Sequence, residues 1–291
     1  MFRITNNDVF NVEQDTIGYK QFAFPGGEVG FQFDGPNYNF FGKGPYKINA
    51  KLQRSDDVMA LAMLVDAINQ RDPGAKINLV CPYVPYARQD RVCNWGEAHS
   101  LKVFGRFINS LNFNTVTVVD PHSDVTAGVI DRIKIIPQLD VARTFKPFYD
   151  RVMESNCVFV SPDAGANKKT SNLAAYFNHR EFVRGDKLRD LATGNIKETV
   201  VYCDDLQGTD VIIADDICDG GMTFIKLAEA LRKKNCGKVV LFVTHGIFSK
   251  GFNNLFHNGI DEIYTTNSFD IYHLGDMPKA PKLNILDLSY L

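Results

Sequence analysis

Apolar residues along this chain recur in two alternating rhythms. Short runs rich in β-branched residues, INLVC (77–81), TVTVVD (115–120), CVFV (157–160), VIIA (211–214) and KVVLFVTH (238–245), predict buried strands. Between them the spacing turns helical. In SDDVMALAMLVDAINQ, Val58, Leu61, Ala62 and Val65 share one helix face, with acids in the first turn and Ser55 expected as the N-cap. HSLKVFGRFINSL, KTSNLAAYF and FIKLAEALRKKN predict further helices over 99–111, 169–177 and 224–235. Strands alternating with helices make βαβ units, so the fold class is α/β, with mainly parallel sheets flanked by helices. A cut near IIPQLDVARTF would give two similar domains, residues 1–138 and 139–291. RGDKLRDLATGNIKETV (184–200) is polar, lacks a clean apolar period and reads as a surface loop.

Composition narrows the partners. At 291 residues and 45% hydrophobic, the chain can bury a core in each of two domains. A net charge of −2, with acids and bases interspersed, argues against a broad nucleic-acid footprint. MFRITNNDVF lacks the apolar core of a signal peptide, and no apolar run reaches membrane-spanning length. Six cysteines, at 81, 93, 157, 203, 218 and 236, include no CxxC pair. They read as reduced thiols of a cytoplasmic protein, not as a disulfide framework or a zinc site.

The densest chemistry lies in VIIADDICDGGMTF (211–224), where an apolar strand is followed by three aspartates and two glycines. This polar stretch falls between a strand and the helix packed by Phe224, Leu227, Ala228 and Leu231. Ligands of open α/β sheets bind at that edge, and free backbone N–H groups there attract anions. Gly220 and Gly221 let the backbone curl around a phosphate, and Thr223 can donate a hydroxyl. The stretch is neither a Walker A sequence nor GxGxxG. A calcium loop also fails, because its twelfth position would be Lys226 or Leu227. What remains is a phosphate cradle preceded by Asp215 and Asp216, which suit either a vicinal diol or a magnesium ion. A ribose 5-phosphate carries both diol and phosphate.

DDICDGGMTF resembles the ribose-phosphate signature shared by type I phosphoribosyltransferases and ribose-phosphate diphosphokinases, the phosphoribosyl pyrophosphate synthetases. Other segments favour the synthetase. FPGGE (24–28), SDDVMALAMLVDAI, PYVPYARQDR (82–91), VVDPHSD (118–124), SPDAGANKK (161–169) and THGIFS (244–249) are similar to its motifs and follow its order. The likeness spans residues 22–250 and implies two type I phosphoribosyltransferase-like domains. It further implies that ATP and ribose 5-phosphate are the substrates, Mg2+ is the cofactor, and the protein is a homo-oligomer.

The implied roles follow residue by residue. Phe24, Glu28, Arg88, Gln89, Asp90 and His122 would bind ATP, and His122 with Asp163 would hold the metal of the nucleotide. Asp215, Asp216, Cys218, Asp219, Gly220, Gly221 and Thr223 would bind ribose 5-phosphate. Lys187 and Arg189 match the catalytic Lys-x-Arg pair of a loop that closes on the transferring phosphates. The chain departs from the family pattern at Gly26, where an acid or amide is usual, at Val92, where lysine is usual, and at Pro121 before the histidine. Two alternatives stand beside this reading. A phosphoribosyltransferase would share the 215–223 loop but has no need of PYARQDR or of an N-terminal α/β half. A non-catalytic regulatory homologue would be expected to interrupt the Lys-x-Arg pair, which is uninterrupted here.

Overall fold

The structure, a computed structural model, describes residues 2–6, 16–35, 40–42, 44–179, 181–189, 196–271, 282–289 and 291. The chain divides into two compact units, Met1–Ile136 with Ser289–Leu291, and Pro137–Leu288.

The first unit runs β1 (Phe2–Asn6), β2 (Tyr19–Ala23), β3 (Val29–Phe33), β4 (Tyr46–Ala50), α1 (Ser55–Arg71), β5 (Ile77–Val80), α2 (Ser100–Ser110), β6 (Thr115–Val119), α3 (Val125–Val129) and β7 (Ile133–Ile136). Its sheet has the order β1-β4-β5-β6-β7. Only β1 is antiparallel to its neighbour; the other three pairings are parallel. Ile48, Leu79 and Val118 from the strands pack with Leu61, Leu64, Leu101 and Ile108 from the helices. Burying each of these side chains is worth about 1.5–3 kcal/mol. The apolar stripe predicted for α1 is therefore its packed face, but Ser55 is not its cap. Arg54 precedes the helix, and the Asp57 carboxylate reaches back to accept from the N–H groups of Gln53 and Arg54 at 3.0 and 2.9 Å. An acid at the third helical position thus satisfies amides just ahead of the helix, the half of a capping box that runs backward along the chain. The β2–β3 hairpin is a separate two-stranded antiparallel sheet, with Tyr19, Val29, Phe31 and Phe33 packed against the core of the unit.

The second unit runs α4 (Gln138–Thr144), α5 (Lys146–Met153), β8 (Cys157–Ser161), α6 (Asn167–Tyr176), β9 (Val183–Arg189), β10 (Ile196–Tyr202), β11 (Asp210–Cys218), α7 (Met222–Arg232), β12 (Val239–Gly246), α8 (Gly251–His257), β13 (Glu262–Thr266) and β14 (Leu283–Leu286). The sheet order is β10-β9-β8-β11-β12-β13-β14. All pairings are parallel except β9 with β10. Every residue of β12 is buried, as a central parallel strand covered on both faces requires.

Segment 184–200, expected as a surface loop, instead contributes two strands. β9 and β10 pair with Lys187 opposite Thr199 and Arg189 opposite Ile196, the register shifting by one residue between Ile196 and Glu198, and residues 190–195 lie outside the described ones. The pairing supplies the backbone order that the polar sequence conceals, while Val183 and Val201 anchor it in the core. At the amino ends of the strands an ion-pair clasp ties α5, β11 and β13 to the residue ahead of β12. Arg151 of α5 bonds Asp210 at 2.7 Å and Glu262 at 2.9 Å, and Lys238 bonds Glu262 at 3.0 Å.

Candidate active site

The carboxyl edge of the second sheet gathers the charged residues. VIIA was expected to end at 214, but β11 continues to Cys218 because β12 keeps pairing it: Asp215 lies opposite Val243, Ile217 opposite His245 and Cys218 opposite Gly246. Asp215 and Asp216 are therefore strand residues, held by a ladder and not by a loop. Asp215 Oδ1 accepts from the Asp216 N–H at 2.9 Å. Gln138, only 3% exposed, donates through Nε2 to the Asp215 carbonyl and, at 3.3 Å, to Thr244 Oγ1.

Asp163 joins them from the end of β8. Its Oδ1 accepts from the Ala166 N–H at 3.2 Å, which caps a short 3₁₀ turn, and Ser161 Oγ donates to its carbonyl at 2.8 Å. Burial pushes the Asp215 carboxyl well above the usual carboxylate range. The charge and hydrogen bond of Asp216 and the charge of Asp163 push it further the same way. Crowded carboxylates of this kind suit a ligand that brings hydroxyl donors or positive charge.

Beyond Cys218 the chain turns into α7 through a glycine N-cap. Gly221 adopts φ +78°, and a Cβ there would lie 2.6 Å from Leu255 Cδ2, so no side chain fits. Gly221 has no side chain to cap the helix, and a helix start of this kind suits an anion. Asp219, Gly220 and Thr223 flank this opening as predicted residues of the phosphate loop. Cys218, expected to bind ribose 5-phosphate, is fully buried with Phe224 and Phe248 in the core. Strand alternation turns its side chain inward, so only its backbone serves this edge.

The first unit carries the residues expected on the nucleotide side. Arg88 and Gln89 are exposed on the segment after β5; the Gln89 N–H donates to the Tyr86 carbonyl at 2.9 Å, and its carbonyl accepts from Leu101 N–H at 3.3 Å. Asp90, expected to bind nucleotide, is 5% exposed and grips Arg91 through two bonds of 2.7 and 3.0 Å. That hydrogen-bonded guanidinium draws its carboxyl down to about 2 against the opposing effect of burial, and Ser123 and His122 contribute. Asp90 is therefore engaged inside the protein. His122 is exposed on the turn after β6.

Phe24 and Glu28 close the tip of the β2–β3 hairpin, where the Phe24 N–H donates to the Glu28 carbonyl at 2.8 Å. Phe24 is 52% exposed, and Gly27 takes φ +94°. A Cβ on Gly26 would lie 2.6 Å from Glu28 Oε2, so a larger residue there would turn the flexible Glu28 side chain aside.

The second unit thus brings Asp163, Asp215 and Asp216 to one edge, and the first brings Asp90 beside His122. Lys187 and Arg189 have their backbone on β9. Among the described residues no three His, Cys, Asp or Glu form a metal cage, and no described helix is long and apolar enough to cross a membrane. Sequence reasoning missed Gln138 and Arg91. Gln138 meets Asp215 from 77 residues away, a distance no local pattern reports.

Two family models match the chain. One, described as the N-terminal domain of ribose phosphate pyrophosphokinase, covers residues 11–111, and the other, the phosphoribosyl synthetase-associated domain, covers 185–291. A ribose-phosphate pyrophosphokinase of Shewanella oneidensis is 30% identical over 271 residues, 91% of this chain and 82% of that protein. One from Mycoplasmopsis pulmonis is 30% identical over 240 residues, 81% of this chain and 71% of its own length. The fold is similar to the crystal structure of phosphoribosylpyrophosphate synthetase from Mycobacterium smegmatis. The TM-score is 0.77 at 21% identity, covering 93% of this chain and 86% of that one.

Proposed function

The chain belongs to the ribose-phosphate pyrophosphokinase family, and we infer that it performs that family's reaction with the residues assembled above. It transfers the β,γ-diphosphoryl group of ATP to the anomeric hydroxyl of ribose 5-phosphate, giving 5-phosphoribosyl 1-diphosphate and AMP. The anomeric oxygen attacks the β-phosphorus, and the bond from that phosphorus to the oxygen it shares with the α-phosphate breaks. Transfer of this kind depends on in-line placement and charge neutralisation more than on a strong base.

One observation carries the placement of the sugar: two strand-borne carboxylates precede a glycine-capped helix end. The 5-phosphate takes the amides of residues 219–223, and the two ring hydroxyls donate to Asp215 and Asp216. Lys187 and Arg189 neutralise charge on the transferring group. Phe24, Glu28, Arg88 and Gln89 receive the nucleotide, with Asp90 fixing their segment through Arg91.

Magnesium belongs to this reading, since Asp163 offers a hard carboxylate oxygen of the kind that ion prefers. Asp163 and His122 are the residues we assign to it; when bound, it supplies positive charge that neutralises phosphate oxygens. A homo-oligomer in the cytoplasm completes the reading, the latter supported by six free cysteines.

Phosphorus NMR of purified protein with magnesium, ATP and ribose 5-phosphate tests the reaction. AMP appearing in step with a sugar diphosphate is the expected result. ADP would mean ordinary phosphoryl transfer, and an unchanged spectrum would remove the catalytic reading.

A further inference from the structure

The turn after β12 brings a cation to the phosphate loop. Its backbone is tied to the end of β11: the N–H groups of Ile247 and Phe248 donate to the Cys218 carbonyl at 2.8 and 3.1 Å. The Gly251 N–H closes the turn on the Phe248 carbonyl at 2.7 Å. Phe248 and Gly251 both take positive φ, 48° and 72°, and the buried Phe248 ring packs on Phe252 with centroids 4.7 Å apart. Lys250 stands in this turn, immediately ahead of α8. A Cβ built on Gly220 would meet Lys250 Cδ and Cε at 3.7 Å and Cγ at 3.9 Å. The aliphatic stem therefore runs alongside Gly220, and the ammonium sits one bond farther on.

Charge gives this placement a purpose. Residues 215–223 contain three aspartates and no basic residue. Backbone amides and a helix end supply only partial charges, whereas a phosphate monoester near pH 7 carries close to two negative charges. Lys226, one turn into α7, is already paired with Glu229 at 2.8 Å. Lys250 makes no ion pair among the described residues.

We propose that Lys250 is a further substrate-binding residue, whose ammonium engages the 5-phosphate on the 219–223 loop and offsets the aspartates beside it. This rests on the ribose 5-phosphate reading of the site. The long stem reaches the phosphate from the solvent side, so the contact forms without displacing the amides.

The test compares wild type, Lys250→Met and Lys250→Arg by steady-state kinetics and by calorimetric titration with ribose 5-phosphate. A hydrogen bond to a charged group is worth about 1.5–3 kcal/mol, so the methionine variant should raise both KM and Kd for ribose 5-phosphate by roughly 10- to 100-fold. KM for ATP should stay within about twofold, and arginine should recover most of the loss, which should also shrink as salt is raised. Melting temperatures check that the variants fold, which exposure of the side chain favours. Unchanged KM and Kd in Lys250→Met, with wild type turning over, would overturn the role of Lys250 alone. Wild type that makes no AMP from ATP and ribose 5-phosphate would overturn the functional reading beneath it.

Discussion

Asp90 and Asp215 are the same residue type, each near the carboxyl edge of the mainly parallel sheet in its own unit, yet their surroundings pull in opposite directions. Asp90 is completed from within: Arg91 grips both its oxygens, and its carboxyl falls to about 2. Asp215 faces other carboxylates, and its carboxyl rises. The difference separates a charge that serves the fold from one left for a ligand to complete. Perturbed acids of the second sort mark functional sites with a physical cause attached.

The comparison breaks most readily at Asp215. Asp215→Asn keeps an oxygen to accept from the Asp216 N–H while removing the crowded charge. It should lower kcat/KM for ribose 5-phosphate by 100-fold or more, about 3 kcal/mol. It should also raise Tm at pH 7 by a few degrees. The sign follows from the raised carboxyl: the folded state holds that proton more tightly than the unfolded one, whose carboxyl titrates near 3.9. Stability is therefore lost as pH climbs from about 4 toward the folded value, and asparagine removes that loss. A lower Tm with intact catalysis would place Asp215 with Asp90.

Arg91→Leu is the complementary change. It leaves Asp90 buried without its partner, so Tm should fall by about 2–4 °C while Kd for ribose 5-phosphate holds. A calorimetric Kd weakened before any loss of Tm would contradict the division. The smallest effect is in acid. Because the Asp90 carboxyl is depressed, its contribution is complete above the unfolded value near 3.9 and is lost as pH falls through about 2. Melting curves of wild type and Arg91→Leu should therefore converge across that window. A gap that persists below pH 2 would mean Arg91 acts through something other than Asp90.

Much of this architecture is written in local pattern. The apolar runs at 77–81, 115–120, 157–160 and 238–245 are strands, and the helical stripe from Val58 to Val65 is packed, because burial on a sheet selects those periods directly. What escaped notice depends on partners distant in sequence. The polar segment around Lys187 is strand because β10 pairs with it, and Asp215 and Asp216 are strand because β12 continues beside them. Neither neighbour leaves a mark in the segment itself. The site was legible as a set of residue types at one edge. That Cys218 packs inward, that Asp90 is already occupied and that Gln138 braces the Asp215 carbonyl depend on three-dimensional packing.

The ion-pair clasp at the opposite edge of the second sheet has a consequence for adaptation. Asp210 and Asp215 share a single strand, five residues apart, or roughly 17 Å at extended spacing. Arg151, Asp210, Lys238 and Glu262 secure one end of the sheet, and the crowded acids occupy the other. Selection can thus act on the two ends separately. A lineage needing a tighter or looser hold on its sugar can exchange residues at the carboxyl edge, and one needing heat resistance can strengthen the clasp, with a strand's length between the two changes.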